Sequence, residues 1–410
     1  MKTVLPLFVF VDACGWEIIR DDPFARLIAP HRRRLDSVFG FSSACIPSIL
    51  SGRLPFEHRN WCYFVYDPEH SPFKNLRALR WIPKAITGRR RFRRWLSILV
   101  KARLKFRGYF DLYNIPFRHI SLFDFTERKN PLQPKGLNCG PNIFDYLESH
   151  GLRYHVSDPA LTERGNLDLL SRDVAKEEID FAFLYWPALD GLLHRVGNDS
   201  TDIPEKLRDY ERLLDELLAA VRGHYDEVKL YIFSDHGMAN CDEIVDLQAR
   251  VERLGLKIGV DYAVVYDSTM ARFWFLNESS RREITACLAR VPQGRILPDS
   301  ELEKYGVLFP DRHFGEMFFL MREGVLIVPS HMGERPIRAM HGYHPRAPHS
   351  YASLLTNQPS IPADITGIQD MFKLMVRDAE EAGQRNHTAM GTVGRDSCAE
   401  PAAAVPSEAR

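Results

Sequence analysis

The sequence predicts an α/β fold with a mostly parallel central sheet, helices on both faces and a basic helical insertion. Three observations predict it. Residues 3–11 (TVLPLFVFV), 180–186 (DFAFLYW), 228–234 (VKLYIFS) and 262–266 (YAVVY) are near-continuous apolar runs, the pattern of strands buried on both faces of a parallel sheet. Between the second and third runs, Leu207, Leu213, Leu214, Leu217, Leu218 and Val221 recur at helical spacing with charge on the opposite face. Strand, helix and strand thus follow in βαβ order. Acid and imidazole residues also stand just behind several runs, where an open parallel sheet carries its functional crevice.

The chain has 410 residues, within reach of one large α/β domain with insertions. Its 45% hydrophobic and 26% charged residues are the balance of a soluble globular protein. The 54 Lys and Arg equal the 54 Asp and Glu, so no overall field directs it to nucleic acid or an acidic partner. Seven cysteines without a CxxC pair argue against a disulfide framework and fit a reducing compartment. No apolar stretch is long enough to span a membrane. The opening MKTVLPLFVFVDACGW ends in Asp-Ala-Cys-Gly and is rich in Val and Phe, so it reads as a buried first strand rather than a signal peptide. A cytoplasmic location is expected.

Two segments stand apart. From Lys74 to Arg107 there are thirteen Lys or Arg and no Asp or Glu, interleaved with Trp81, Phe92, Trp95, Leu96, Ile98, Leu99 and Phe106. This marks a basic helical insertion or cap over 74–130. It serves as a solvated face, as a cap meeting an anionic substrate, or as a surface touching anionic lipid at the membrane periphery. A nucleic-acid role is not expected. Residues 381–410, polar and rich in Ala and Pro, are expected to form a disordered tail. Residues 237–330 include room for a smaller α/β subregion.

The chemistry-bearing residues gather at one predicted edge. Asp12 follows the first run. Asp190 and His194 are four apart, on one helical face. Asp235 and His236 follow the third run, and Gly237 permits a turn that splays them. His341 precedes Gly342. Singly, each has an ordinary reading as turn former, surface pair or structural histidine. Together, three Asp and three His are ligands that Zn²⁺ accepts, and six suit two metals about 4 Å apart. In GFSSACIPSILSGRLPFEH (40–58), Ser42 or Ser43 enters a short helix whose N-terminus favours an alkoxide and a phosphate, unless it merely caps that helix.

In this order the motifs resemble the alkaline phosphatase superfamily, most closely its type I phosphodiesterase/nucleotide pyrophosphatase branch. They are an Asp after the first strand, a hydroxyl before Ser51-Gly52, Asp-x-x-x-His, Asp-His-Gly-Met and His-Gly-Tyr, across roughly residues 3–68 and 180–357. The resemblance implies a catalytic domain over 1–380 and two divalent ions, Zn²⁺ expected and Mn²⁺ open. One ion would take Asp190, His194 and His341; the other would take Asp12, Asp235, His236 and the nucleophile oxygen. The spacing back from Gly52 favours Ser42 as nucleophile, with Ser43 the alternative. An Asn that helps hold the phosphate in that branch is replaced here by Tyr63. Tyr63, Asn60, Arg59 or a backbone N–H are therefore the candidates for substrate contact. The implied reaction cleaves a phosphodiester or pyrophosphate bond in a small-molecule, lipid-linked or polymer-linked substrate through a phospho-enzyme. Rival readings are a phosphomonoesterase or phosphomutase, a sulfatase using Cys45, and a non-catalytic phosphate-binding scaffold. Against the sulfatase, Cys45 lies too near Gly52 and lacks the flanking Arg.

Overall fold

In the computed structural model, which describes residues 2–393, the first apolar run is β1 (Lys2–Val11). Further strands are β2 (His31–Leu35), β3 (Tyr154–Val156), β4 (Phe181–Trp186), β5 (Tyr225–Phe233), β6 (Tyr262–Tyr266), β7 (Met270–Phe275), β8 (Gly294–Ile296), β9 (Met317–Met321) and β10 (Ala352–Thr356). The helices that matter for the site are α1 (Ser42–Ser51), α2 (Arg90–Leu104), α3 (Ala188–Val196), α4 (Asp202–Arg222) and α5 (Met371–Val393). The central six-stranded sheet has the order β2-β10-β5-β1-β4-β3. β1 pairs in parallel with β4 and β5, and β3 pairs in parallel with β4. β10 runs antiparallel to both its neighbours, β5 and β2.

Alternation along β1 explains why its sequence is apolar throughout. Phe8 and Phe10 face one side with Phe181, Phe183, Tyr231 and Phe233, under α1 and α5. Leu5, Leu7, Val9 and Val11 face the other with Ala182, Leu184, Leu230 and Ile232, under α4. The first side is an aromatic ladder, with Phe8 and Tyr231 ring centroids 4.7 Å apart and Phe10 and Phe233 5.4 Å apart. Burying each such side chain stabilises the fold by about 1.5–3 kcal/mol. A helix-covered sheet on both faces follows directly.

The run at 262–266 departs from expectation. β6 belongs to a separate antiparallel sheet of order β6-β7-β9-β8. Tyr262, Val264 and Tyr266 enter one cluster and Ala263 and Val265 another, so this strand too is buried on both faces. A continuous apolar run therefore reports double-sided burial, not strand direction. The expected tail also needs correction at its start. Residues 381–393 continue α5, and Asn386 is buried, its Oδ1 accepting from Thr3 N and Val4 N at 3.0 and 3.1 Å. Composition hid this because buried residues there are small or polar, Ala382, Gly383 and Asn386. The rest of the expected tail lies outside the described residues.

Within 74–130, regular helix is limited to a 3₁₀ segment (Lys74–Trp81), one turn at Lys84–Thr87, α2 and a short turn at Ile120–Leu122. Phe123–Phe125 then pairs antiparallel with Phe64–Tyr66, so the insertion closes back on the segment after α1. No described helix is long and apolar enough to cross a membrane.

Candidate active site and metal cradle

The six acid and imidazole candidates converge at the carboxyl edge of the parallel strands. Asp12 directly follows β1, and Asp235 and His236 follow β5 after Ser234. Asp190 and His194 lie on α3, which starts two residues beyond β4. His341 follows a two-residue strand, Ala339–Met340, that pairs with Ala239–Asn240 just past Asp235-His236. Two triads result, Asp190/His194/His341 and Asp12/Asp235/His236, each offering ligand atoms within 4.8 Å of one another. His236 and His341 join them, their rings stacked 3.8 Å apart at 11°.

Hydrogen bonds set which nitrogen faces inward. His194 Nδ1 donates to Ala339 O and His236 Nδ1 to Gly237 O, both at 2.9 Å. When the ring is neutral, each Nε2 turns a lone pair toward the carboxylates, as in imidazoles that ligate metals. His194 Nε2 is 3.3 Å from Asp190 Oδ1, and His236 Nε2 is 3.1 Å from Asp235 Oδ2 and 3.7 Å from Asp12 Oδ1. Asp12 Oδ1, Asp190 Oδ1 and Asp235 Oδ2 are buried without a hydrogen-bond donor among the described residues. Acceptors facing acceptors in a buried site call for a cation. Burial, then Asp235 and Asp190, hold the Asp12 carboxyl well above the usual carboxylate range. Burial alone would lower His236, but Asp235, Asp12 and Asp190 outweigh it and push it up to about 10. The donor set and its field fit two divalent cations.

Gly237 serves the site differently from its expected role as a turn. A Cβ there would lie 2.5 Å from His349 O, and one on Gly15 would lie 2.2 Å from Gly237 Cα. The two glycines let the loops after β1 and β5 touch, and that contact brings Asp12 beside Asp235. Ala13 N then donates to Asp235 Oδ1 at 3.2 Å.

Ser42 opens α1 with its Oγ 3.0 Å from His236 Nε2. Ser43 Oγ instead donates to Trp61 O at 2.6 Å, on the buried side of the helix. Of the two serines, Ser42 is the one brought to the cluster. Cys45 is fully buried beside Ser37 Oγ and Val38 O, and burial pushes its thiol far up.

The three candidates for substrate contact separate. Tyr63 stands near the triads: burial raises its phenol first, with Tyr109 and Glu127 next, and Asp12 and Asp190 contribute too. Its ring stacks on Tyr113 from the insertion and lies parallel to Phe125, both at 5.8 Å. Asn60 and Arg59 are engaged elsewhere. Asn60 is buried, donating to Glu127 Oε1 and accepting from Asn138 N. Arg59 donates to Asp311 at 2.6 Å.

Sequence reasoning missed Tyr185 and Glu127. Tyr185 stacks on Phe10 at 5.0 Å, and its hydroxyl donates to Asp12 Oδ2 at 2.6 Å. The available signal was a lone phenol on the face of β4 that otherwise carries Phe181 and Phe183. Removing that donor with Tyr185→Phe is expected to weaken metal binding about 10–100-fold without unfolding the chain, measurable by competition with a chromogenic chelator. Glu127 is buried, and burial raises its carboxyl to about 7 against the opposing hydrogen bond from Asn60.

Residues 7–343 match the family model described as type I phosphodiesterase / nucleotide pyrophosphatase. The chain belongs to that family. As a type I phosphodiesterase/nucleotide pyrophosphatase it is also a member of the alkaline phosphatase superfamily. Over 82 residues it is 33% identical to human ectonucleotide pyrophosphatase/phosphodiesterase family member 7, a stretch covering 20% of this chain and 18% of that protein. Its fold is similar to human ectonucleotide pyrophosphatase/phosphodiesterase 5, with a TM-score of 0.64 at 14% identity over 93% of this chain and 95% of the other. The murine counterpart in complex with AMP gives 0.63 at 15%, with the same coverage. Phosphonoacetate hydrolase from Sinorhizobium meliloti 1021 gives 0.59 at 15%, over 92% of this chain and 96% of that one. At these identities the structural likeness speaks for the phosphodiesterase fold alone.

Proposed function

We propose that this phosphodiesterase-family hydrolase cleaves a phosphodiester or pyrophosphate bond of a nucleotide-type ester, with Ser42 as nucleophile. The observation that carries this is the Ser42 Oγ, 3.0 Å from His236 Nε2 in the Asp12/Asp235/His236 triad. Two divalent cations, Zn²⁺ by the imidazole and carboxylate donors, would supply Lewis-acid stabilisation of the phosphoryl oxygens and favour the Ser42 alkoxide. Asp190, His194 and His341 would hold one of them, and Asp12, Asp235 and His236 the other.

The chain's own residues set the geometry. Ser42 Oγ gives up its proton and attacks phosphorus, the bond from phosphorus to the leaving oxygen breaks, and that group departs with a proton from solvent. Water then hydrolyses the seryl phosphodiester, releasing the monoester and restoring the Ser42 hydroxyl. Ser42 is the first residue of α1, where the positive end of the helix dipole favours an anion. Tyr63 places a phenol where the related branch uses an Asn, offering an O–H donor to a phosphoryl oxygen. The AMP bound in the murine relative supports a nucleotide-type ester as the substrate class.

The test is hydrolysis of the p-nitrophenyl ester of thymidine monophosphate beside p-nitrophenyl phosphate, in Zn²⁺ and in Mn²⁺. Preferential turnover of the diester is expected. Preference for the monoester would move the protein to a phosphatase or mutase reading, and no turnover of either would leave a phosphate-binding scaffold.

A further inference from the structure

The geometry points to the outward face of α2 as a docking surface for an anionic lipid bilayer, a role independent of the catalytic reading. A surface helix ordinarily buries its apolar stripe and exposes its polar one. α2 largely reverses this. Toward the body it buries Arg93 and Ser97 beside Leu96 and Val100. Arg93 donates to the carbonyls of Thr87, Tyr113 and Ile115, and Ser97 donates to Asp111. Toward solvent it presents Trp95, Ile98 and Leu99, which are 57%, 61% and 46% exposed and share one face with Ala102.

Cations flank this stripe. Arg90, Arg91, Arg94, Lys101 and Arg103 have no acidic partner among the described residues. In the preceding 3₁₀ segment Trp81 is 78% exposed, with the Arg80 guanidinium 4.7 Å above its ring. Exposed Trp, Ile and Leu rimmed by unpaired Arg and Lys suit an interfacial helix. Its apolar centre enters the headgroup boundary while its cations meet lipid phosphates.

Charge decides against other occupants. A second copy docked on the same face would set arginine against arginine. Nucleic acid would account for the cations but not for Ile98 and Leu99. The segment after α2 also carries Tyr109 and Tyr113 onto Tyr63, so one stretch of chain links this face to the site.

The test is co-sedimentation of the full chain with phosphatidylcholine vesicles, with and without phosphatidylglycerol. Binding is expected only with phosphatidylglycerol and falls as salt rises. Arg91→Ala and Arg94→Ala should each lower the partition coefficient about fivefold. Ile98→Ser combined with Leu99→Ser should abolish binding, with the circular dichroism spectrum and soluble-diester turnover unchanged. The inference is overturned by equal binding to neutral vesicles or by no binding at low salt. It is also overturned by self-association that the serine variant abolishes, or by tighter binding to duplex DNA that this variant leaves intact.

Discussion

Ser42→Ala is expected to lower diester turnover by about 10³–10⁶-fold, because in the proposed mechanism it removes the nucleophile. The substitution deletes one half-buried oxygen whose one hydrogen bond among the described residues is to His236 Nε2, so the fold should be unaffected. Ser43→Ala is the control. It forfeits the bond to Trp61 O, a loss of about 1 kcal/mol in stability, and leaves the cluster untouched. Turnover measured on the two purified variants should therefore diverge by orders of magnitude. Comparable losses in both would mean that α1 acts as a structural unit rather than as the carrier of one nucleophile.

Asp235→Asn should have the second largest effect. The carboxylate holds two backbone donors on Oδ1, Ala13 N and His236 N, and leaves Oδ2 free toward His236 Nε2. Asn keeps an oxygen for those donors but loses the charge and the second oxygen. Metal content measured by elemental analysis should fall from two ions per chain to one, and turnover should fall with it by about 10³-fold or more. Stability gives an independent reading. Without metal, the wild-type site crowds two buried carboxylates and the half-buried Asp190, and Asp12 is raised in part by Asp235 itself. Metal-free Asp235→Asn should thus resist urea at least as well as metal-free wild type, whereas metal should stabilise wild type far more than the variant. A variant that binds two ions normally would remove Asp235 from the cradle.

How much of this was readable beforehand varied with the kind of signal. Asp12, Asp190, His194, Asp235 and His236 were legible because each stands at a predicted strand end or a helical spacing of four, and His341 because of its His-Gly-Tyr motif. Topology then brings strand ends together. Ser42 and Ser43 were inseparable in sequence because adjacent helical positions differ only in direction, and direction depends on what α1 packs against. The antiparallel setting of β6 was invisible for a related reason, since double-sided burial looks the same in either sheet. Tyr185 escaped notice because one hydroxyl scarcely alters an apolar run, yet it decides where the Asp12 carboxylate points. The bonds of Asn60 to Glu127 and Asn138 had no signal in the sequence, because both partners lie more than sixty residues away.

The most direct measurement is to mix the metal-loaded enzyme with substrate, quench in acid within the first turnovers, and locate the modified peptide by mass spectrometry. A phosphoryl or phosphoester adduct on Ser42, absent from Ser42→Ala, is the expected result. An adduct on Ser43, or turnover with no covalent adduct on either serine, would contradict the account.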